Sequence, residues 1–561
     1  MNTRNSLFNL AVVCLLFSCC LLQACKKPSE GVEVTVNTDI YTSPMLFHFA
    51  NASSTATTQP ADFEVTVTGQ NATSVVTPEG GKTFKTKGGV LALMLEKTAA
   101  PSAEHPVNFS LVANVEGFTP VVQNVTIISD SVYTKEVRLV EYAKPADGTS
   151  ARVQQATLLS GSLVTAATIA TSTTASTTEM ASIALPAGTK FFAENGTQIT
   201  SGNLDAKVVY YGTGTQASLD AFPGGFNANN ILGENGQSIP GGVTFVTAGF
   251  LAVNMKVGNT VVKSFSQPLQ VTMQISSTLV NPNTGVVVKA GDIIPIWSLD
   301  EKTGQWKFET NGTISTSGGK LLMTYNMAHL SYWNIDWPYY MNGTSSCYKS
   351  SSAPVKVTVK AGVNSFYGKI YLATASGQPL TTYAGGMATI YNNGVYNFYG
   401  STPNMTGVKV IVADQFGVKL AESAAFNPCS TGELTVTVPS SVTFPKLTTV
   451  DLKINARCSN KNIVANVTNA ASLYLWNGTA YTYYKTVYVY NGVAKFNLLN
   501  DQRYRIDTYY GSKSYSAVMD FKSANFNFTG ATTNASLTGV ATYNSGTNIY
   551  RATADIAVNC N

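Results

Sequence analysis

Between Asp292 and Pro338 apolar and polar side chains alternate with a period of two, and turn-forming residues interrupt the alternation. Ile293, Pro295, Trp297 and Leu299 alternate with Ile294, Ile296 and Ser298, and Trp306, Phe308 and Thr310 alternate with Lys307 and Glu309. Strands with two distinct faces require this pattern. Asp300-Glu301-Lys302-Thr303-Gly304 has turn chemistry, and Asn311-Gly312 predicts a second turn because both residues tolerate positive φ. Leu321, Met323, Tyr325 and Met327 then share one face, which predicts three strands and two hairpins. If the stretch from His329 to Trp337 is extended too, His329, Trp333, Ile335 and Trp337 lie on one face, and Leu330, Tyr332, Asn334 and Asp336 on the other. Four of the chain's five tryptophans fall in this stretch, so both faces are expected to be largely covered.

The same period recurs on either side. Val32, Val34 and Val36, then Phe63, Val65 and Val67, Phe109 and Leu111, Val125 and Ile127, and Val137 and Leu139 predict one immunoglobulin-like sandwich over residues 32–142. Lys144 to Ser150, with Pro145, Asp147 and Gly148, predicts a linker over residues 143–150. A second module is expected over 151–340 and a third over 341–441, with strands at Val355 to Val359, Lys369 to Ala373, Val408 to Val412 and Leu434 to Val438. A fourth, over 442–561, starts with Val450, Leu452 and Ile454 and ends with Ala554, Ile556 and Val558. Charged residues make up only 12% of the chain, about half the usual share, while Thr, Ser, Asn, Gly and Tyr abound. The fold class is therefore all-β, with tandem β-sandwich modules of an immunoglobulin-like kind.

Pro295-Ile296-Trp297, Thr303-Gly304-Gln305-Trp306 and His329-Leu330-Ser331-Tyr332-Trp333-Asn334 resemble the end of an extracellular β-sandwich module. Such modules are found in cartilage intermediate layer protein and in many lipoproteins of Bacteroidota. Leu185-Pro186-Ala187-Gly188-Thr189 and Phe222-Pro223-Gly224-Gly225-Phe226 extend the resemblance over about residues 151–340. It implies fold and an extracellular, generally non-catalytic setting, and it carries over no ligand residues. Gly117-Phe118-Thr119-Pro120 similarly resembles the turn of carboxypeptidase-regulatory-like modules, as the fourth module does faintly. The Thr/Ser/Ala run from Thr165 to Ser182 has the composition of a disordered linker. We expect two edge strands there instead, because the resembling modules carry a Thr-rich hairpin at this place and Ile183 and Leu185 continue an alternation.

Arg4 precedes an apolar run from Leu7 to Leu22, which meets Leu22-Gln23-Ala24-Cys25. This predicts a signal peptide over residues 1–24 ending in a lipobox, the Cys25 thiol taking a diacylglycerol, with residues 25–31 as the tether. An ordinary cleaved signal or a buried apolar segment is the plainer alternative. With acylated Cys25 the protein would be anchored to a membrane rather than spanning it. Lys26 in place of the aspartate that retains enterobacterial lipoproteins favours the outer membrane by resemblance to that sorting rule, and leaves cell surface and periplasmic face open. The net charge of +5 is spread over 561 residues with no basic run beyond Lys26-Lys27, so nucleic acid is not implied. Downstream of Cys25 stand Cys347, Cys429, Cys458 and Cys560, an even number for an oxidising compartment. Cys347 with Cys429 and Cys458 with Cys560 would close each late module on itself; Cys429 with Cys458 is the rival pairing.

The three histidines, His48, His105 and His329, have no partners at metal-ligand spacing, and no cofactor is expected. His329, Ser331 and Asp336 supply the three residue types of a catalytic triad, but in a strand Asp336 points away from the other two and nothing resembles a GxSxG elbow. A structural histidine, hydrogen-bonded at a strand end, is the better reading. Gly212-Thr213-Gly214-Thr215-Gln216-Ala217 satisfies a dinucleotide fingerprint, yet Pro223-Gly224-Gly225 follows too soon for the helix that would hold a pyrophosphate. Asp130-Ser131-Val132 resembles the O-glycosylation acceptor of Bacteroidota. Tyr474, Trp476, Tyr481 and Tyr483, followed by Tyr484, Tyr488 and Tyr490, form an aromatic cluster suited either to stacking on sugars or, the plainer reading, to packing a sandwich. The sequence thus points to a non-catalytic lipoprotein of the bacterial envelope, an interaction, adhesion or structural protein, with glycan capture as the alternative and the protein or glycan partner unnamed.

Overall fold

The computed structural model describes residues 34–36 and 40–558, apart from 54, 103, 383–386, 416, 511–512 and 533–534. The signal segment, Cys25 and Cys560 lie outside the described residues. Strands dominate, and the α-helix among the described residues is Gln216–Asp220. The chain divides into two units, one of residues 41–445 and one that joins residues 1–40 to residues 446–561.

The larger unit begins with a sandwich of two four-stranded sheets. Tyr41–Asn51 lies between Val90–Glu96 and Tyr133–Leu139 in one, and Val107–Ala113 between Glu64–Thr68 and Val121–Ile127 in the other. Alternate residues meet in the middle: Met45, Phe47, Phe49, Leu91, Leu93, Phe109, Leu111, Val125 and Leu139 are buried together. Residues 143–150 join this sandwich to the next as a packed segment rather than a loose spacer. Ala146 is buried, and Thr149 and Ser150 already belong to the strand Thr149–Leu159, paired with Tyr211 and Tyr210.

The central module is one continuous ladder folded on itself. It runs from Thr149–Leu159 through Gly202–Tyr211, Val243–Val257, Tyr332–Tyr340, Ile293–Leu299, Trp306–Ser317, Lys320–His329 and Ser264–Ile275 to Ala181–Leu185 and Ala167–Ala170. The Thr-rich run supplies the last two, a hairpin in which Ala167 faces Leu185 and Ile169 faces Ile183. Trp306–Ser317 turns the corner: its first part pairs with Ile293–Leu299, and Ile314 to Ser317 pair with Lys320–His329. Asn311-Gly312 is therefore not a turn, contrary to the expectation from its residue types. Gly312 serves close approach, since a Cβ there would lie 2.2 Å from Met323 Sδ and 2.8 Å from Ile296 Cδ1. The reversal falls at Gly318-Gly319, both with positive φ. The stretch from His329 to Trp337 is not one strand either. Lys320–His329 ends in one leaf, and after Leu330 and Ser331 the chain re-enters as Tyr332–Tyr340 in the other.

The two faces of the central sheet are covered differently. Inside, Tyr210, Leu251, Met255, Ile296, Trp333 and Ile335 pack on Val271, Met273, Met323 and Met327. Outside, Tyr211, Phe245, Phe250, Trp297, Trp306 and Tyr332 form a ring layer buried with Ala52, Val122 and Val140 of the first sandwich and Ala146 of the joining segment. Phe245 lies 5.1 Å from Trp297 and 4.9 Å from Trp306, centroid to centroid. Polar groups fix the seam: Tyr332 Oη donates to Pro120 O at 2.9 Å, and Gly224 N to Val122 O at 2.8 Å.

The third sandwich sets Val355–Lys360, between Gly394–Phe398 and Glu433–Thr437, against Ser365–Ala373 and Lys409–Asp414. Its core is continuous with that of the central module. Cys347 and Cys429 form a disulfide, which excludes the pairing of Cys429 with Cys458. Gln378 reaches from its Thr374–Gln378 turn into the bulge of Val243–Val257, where the register shifts between Thr247 and Gly249. Its Oε1 accepts from Thr247 N at 3.0 Å and its Nε2 donates to Phe245 O at 2.5 Å. Phe245 N donates to Phe226 O at 2.8 Å, so the backbone here faces away from Tyr332–Tyr340, and Gln378 satisfies the polar groups on that side.

In the smaller unit, Ile463–Asn466, Leu447–Cys458, Ile549–Val558, Ala535–Asn544 and Phe526–Thr532 form one sheet. Tyr481–Val489, Asn469–Trp476, Gln502–Tyr510 and Lys513–Phe521 form the other. Val34–Val36, expected in the first sandwich, instead pairs in parallel with Ile463 to Ala465 of this unit. Alternation specifies a strand but not whose edge it joins. Cys458 is disulfide-bonded and lies beside Val558 in the ladder; the expected partner, Cys560, is outside the described residues.

The ring layer should be decisive for docking. Trp297→Ala is expected to cost about 3–5 kcal/mol and to speed amide exchange in Val121–Ile127 as well as in its own strand. Unchanged protection of Val121–Ile127 would show that the first sandwich does not depend on these rings.

Candidate ligand surfaces

His329 ends its strand with Nε2 3.1 Å from Glu309 Oε1 and its ring 5.2 Å from that of Trp333. Glu309 also accepts from Ser298 Oγ at 2.8 Å and Lys307 Nζ at 3.1 Å. Desolvation pushes this half-buried carboxyl up, but the hydrogen bonds from His329, Ser298 and Lys307 outweigh it and hold Glu309 below the usual carboxylate range. Ser331 is buried in the crossing between leaves. Asp336 sits elsewhere, fully buried and accepting from Asn334 Nδ2, so the three triad-type residues form no relay. His329 is a strand-end structural histidine.

Asp336 belongs to a network the sequence did not disclose. Thr247 Oγ1 donates to Asn334 Oδ1 at 3.1 Å and accepts from Gly249 N at 3.1 Å, and Gln378 closes the group from the third sandwich. Burial raises the Asp336 carboxyl well above its ordinary range. Asn334 and Asp336 two apart on a strand was the available signal, but their partners come from positions 247 and 378.

The dinucleotide-like stretch opens a helix of only five residues, Gln216–Asp220, which ends before Pro223. Thr215 caps it, its side chain accepting from Ser218 N at 3.3 Å, so the segment satisfies its own backbone. Asp130 Oδ1 accepts from Ser43 N at 2.7 Å, where Ser43 adopts positive φ.

The aromatic cluster divides between two faces. On Asn469–Trp476, Leu473 and Leu475 turn into the core while Tyr474 and Trp476 take the other side. Register sets Trp476 beside Tyr481 and Tyr474 beside Tyr483, with ring centroids 4.9 Å and 5.9 Å apart. The Arg505 guanidinium lies 4.4 Å from the Tyr474 ring and 5.3 Å from that of Tyr481. It also bonds Asp507, and Arg503 pairs with Asp520 through two bonds of 2.7 Å and 2.9 Å. The hairpin tip is set by Asn477 Oδ1, which accepts from Thr479 N and Ala480 N. Tyr484 instead packs inward, against Tyr504 at 5.5 Å, and Tyr488 is buried. Beside them Lys485, bonded to Asn497 O, is brought down to about 8 by burial. The four rings Tyr474, Trp476, Tyr481 and Tyr483 thus form one partly exposed row with Arg505 among them. Among the described residues, no group of three or more metal-ligating side chains occurs.

No family model matches the chain. Among solved structures it is similar to the Bacillus anthracis TIE protein, with 12% identity over 66% of this chain and 72% of that one, at a TM-score of 0.12. It is also similar to the Corynebacterium diphtheriae major pilin SpaA, with 9% identity over 92% of this chain and 100% of that one, at a TM-score of 0.13. At these scores neither likeness transfers a role.

The buried carboxyl has a pH signature. Because Asp336 holds its proton more tightly in the native state than at the roughly 3.9 of an unfolded aspartate, stability should fall as pH rises above about 4. Asp336→Asn, which cannot ionise, is expected to shrink the loss of Tm between about pH 5 and about pH 8. Equal losses in both proteins would remove Asp336 as the source.

Proposed function

We propose that the chain is a lipid-anchored structural and interaction protein of a bacterial envelope, held in the outer membrane through Cys25 and without catalytic activity. The observation that carries this reading is the fusion of three sandwiches over residues 41–445 by buried rings, a shared core and the Gln378 contact. Such a body is suited to presenting surfaces in fixed relation, whereas a lid or hinge would need weakly packed segments. The lipobox supplies the anchor and the disulfide fits an oxidising compartment. Cys25→Ala is expected to move the protein from the membrane to the soluble fraction, and protease added to intact cells is expected to digest the wild type. Membrane retention of the variant would sink the anchor, and full protection would sink the cell-surface placement.

The row of Tyr474, Trp476, Tyr481 and Tyr483 favours a second reading, capture of extended glycan chains. Rings lying along two adjacent strands, with Arg505 stacked among them, offer a platform for successive sugar faces. On an array of long polysaccharides, saturable binding should be lost in Trp476→Ala. Binding indifferent to that substitution would exclude the row.

A further inference from the structure

A cleft of about 530 Å³ opens where the three sandwiches of residues 41–445 meet. Its volume falls within the roughly 300–1,000 Å³ of small-molecule sites. Asn108 and Thr126 come from the first sandwich, Asn227, Asn229 and Thr244 from the central module, and Ser401 from the third.

None of the residues lining it is ionisable. A charged ligand entering here would lose hydration without meeting a counter-charge, which is costly. The polar groups are set in place by one another: Asn229 Nδ2 donates to Asn108 Oδ1 at 2.6 Å and Thr126 Oγ1 at 2.8 Å, and Thr244 Oγ1 donates to Asn227 Oδ1 at 2.8 Å. Each amide has thereby committed one end. The other ends, Nδ2 of Asn108 and Asn227 and Oδ1 of Asn229, have no side-chain or backbone partner among the described residues, which leaves two donors and one acceptor for a ligand. Gly241 and Gly242 both adopt positive φ, and a Cβ on Gly242 would lie 2.8 Å from Ala228 O. The wall beside Asn227 and Asn229 is thus built for close backbone approach. Met341, Leu380 and Pro403 add apolar surface.

We propose that this cleft binds a short, uncharged saccharide, a ligand whose hydroxyls both donate and accept and whose C–H faces are apolar. The site lies in the other unit from the Tyr474 row and does not depend on it. The expected hydrogen bonds run from the two free amide groups to ring or hydroxyl oxygens, and from a sugar hydroxyl to Asn229 Oδ1.

The test is titration calorimetry of the full chain with tetrasaccharides of glucose (α-1,4, β-1,4 and β-1,3), mannose and N-acetylglucosamine, and with tetragalacturonate as the charged comparison. At least one neutral sugar should bind at a single saturable site. Asn227→Ala and Asn229→Ala, both at exposed positions, should each weaken it by about tenfold, as the loss of a hydrogen bond or two implies. Ser401→Trp, which fills the cleft, should abolish it, and Trp476→Ala should leave it intact. No binding by any neutral sugar, equal binding of tetragalacturonate, or binding that survives all three cleft variants would overturn the proposal. Loss of binding in Trp476→Ala alone would overturn it as well, assigning the sugar to the aromatic row. Circular dichroism melts of each variant separate lost binding from lost fold.

Discussion

Burial of large rings on the outer face of one sheet is the constraint on which the larger unit depends. A sheet in a sandwich ordinarily needs only one apolar face, the other being left to water. Here Tyr211, Phe245, Phe250, Trp297, Trp306 and Tyr332 make the second face apolar as well, so the central module is incomplete without a cover. The first sandwich provides it together with the module's own segment from Ala221 to Ile231, and the hydroxyl of Tyr332 takes up a carbonyl that the contact would otherwise strand. What would have been beads on a string becomes a fused body, and the cleft among its three parts inherits rigid walls.

Much of this was legible in the alternation. The period of two around Trp297, Met323, Val357 and Val558 marks strands correctly because each turns at least one face into a core. The Thr-rich hairpin was legible only through a resemblance, since threonine fits strands and loops alike. Asn311-Gly312 misled because positive φ is one use of glycine and room for a neighbour is another; only Met323 and Ile296 decide between them. Leu330 and Ser331 hide a change of leaf, which a periodic pattern does not record. The five-residue helix at Gln216 is signalled by the Thr215 cap and ends ahead of Pro223-Gly224.

The candidate sites show the same division. Tyr474 and Trp476, two apart, and Tyr481 and Tyr483, across a tight turn, fall on one face by strand geometry alone. Arg505, which stacks among them, comes from a strand further on and leaves no local trace. The polar group around Asp336 and the cleft around Asn229 were illegible for the same reason. Each is assembled from segments more than a hundred residues apart, and each member taken alone looks like an ordinary strand or loop residue.

The parallel pairing of Val34–Val36 with Ile463 to Ala465 bears on how the chain is made. A ribosome delivers the first of these strands early and its neighbour only after the whole of residues 41–445 has emerged. At roughly 5–20 residues per second that interval is tens of seconds. Throughout it the early strand has no native edge to join, while the larger unit holds all of its own pairing partners and is free to fold. Delivery of the chain from its first residue to its last, by ribosome or by export, therefore favours an order: the inserted body can fold first, and the unit that brackets it completes last, its outermost strand needing a neighbour more than four hundred residues away.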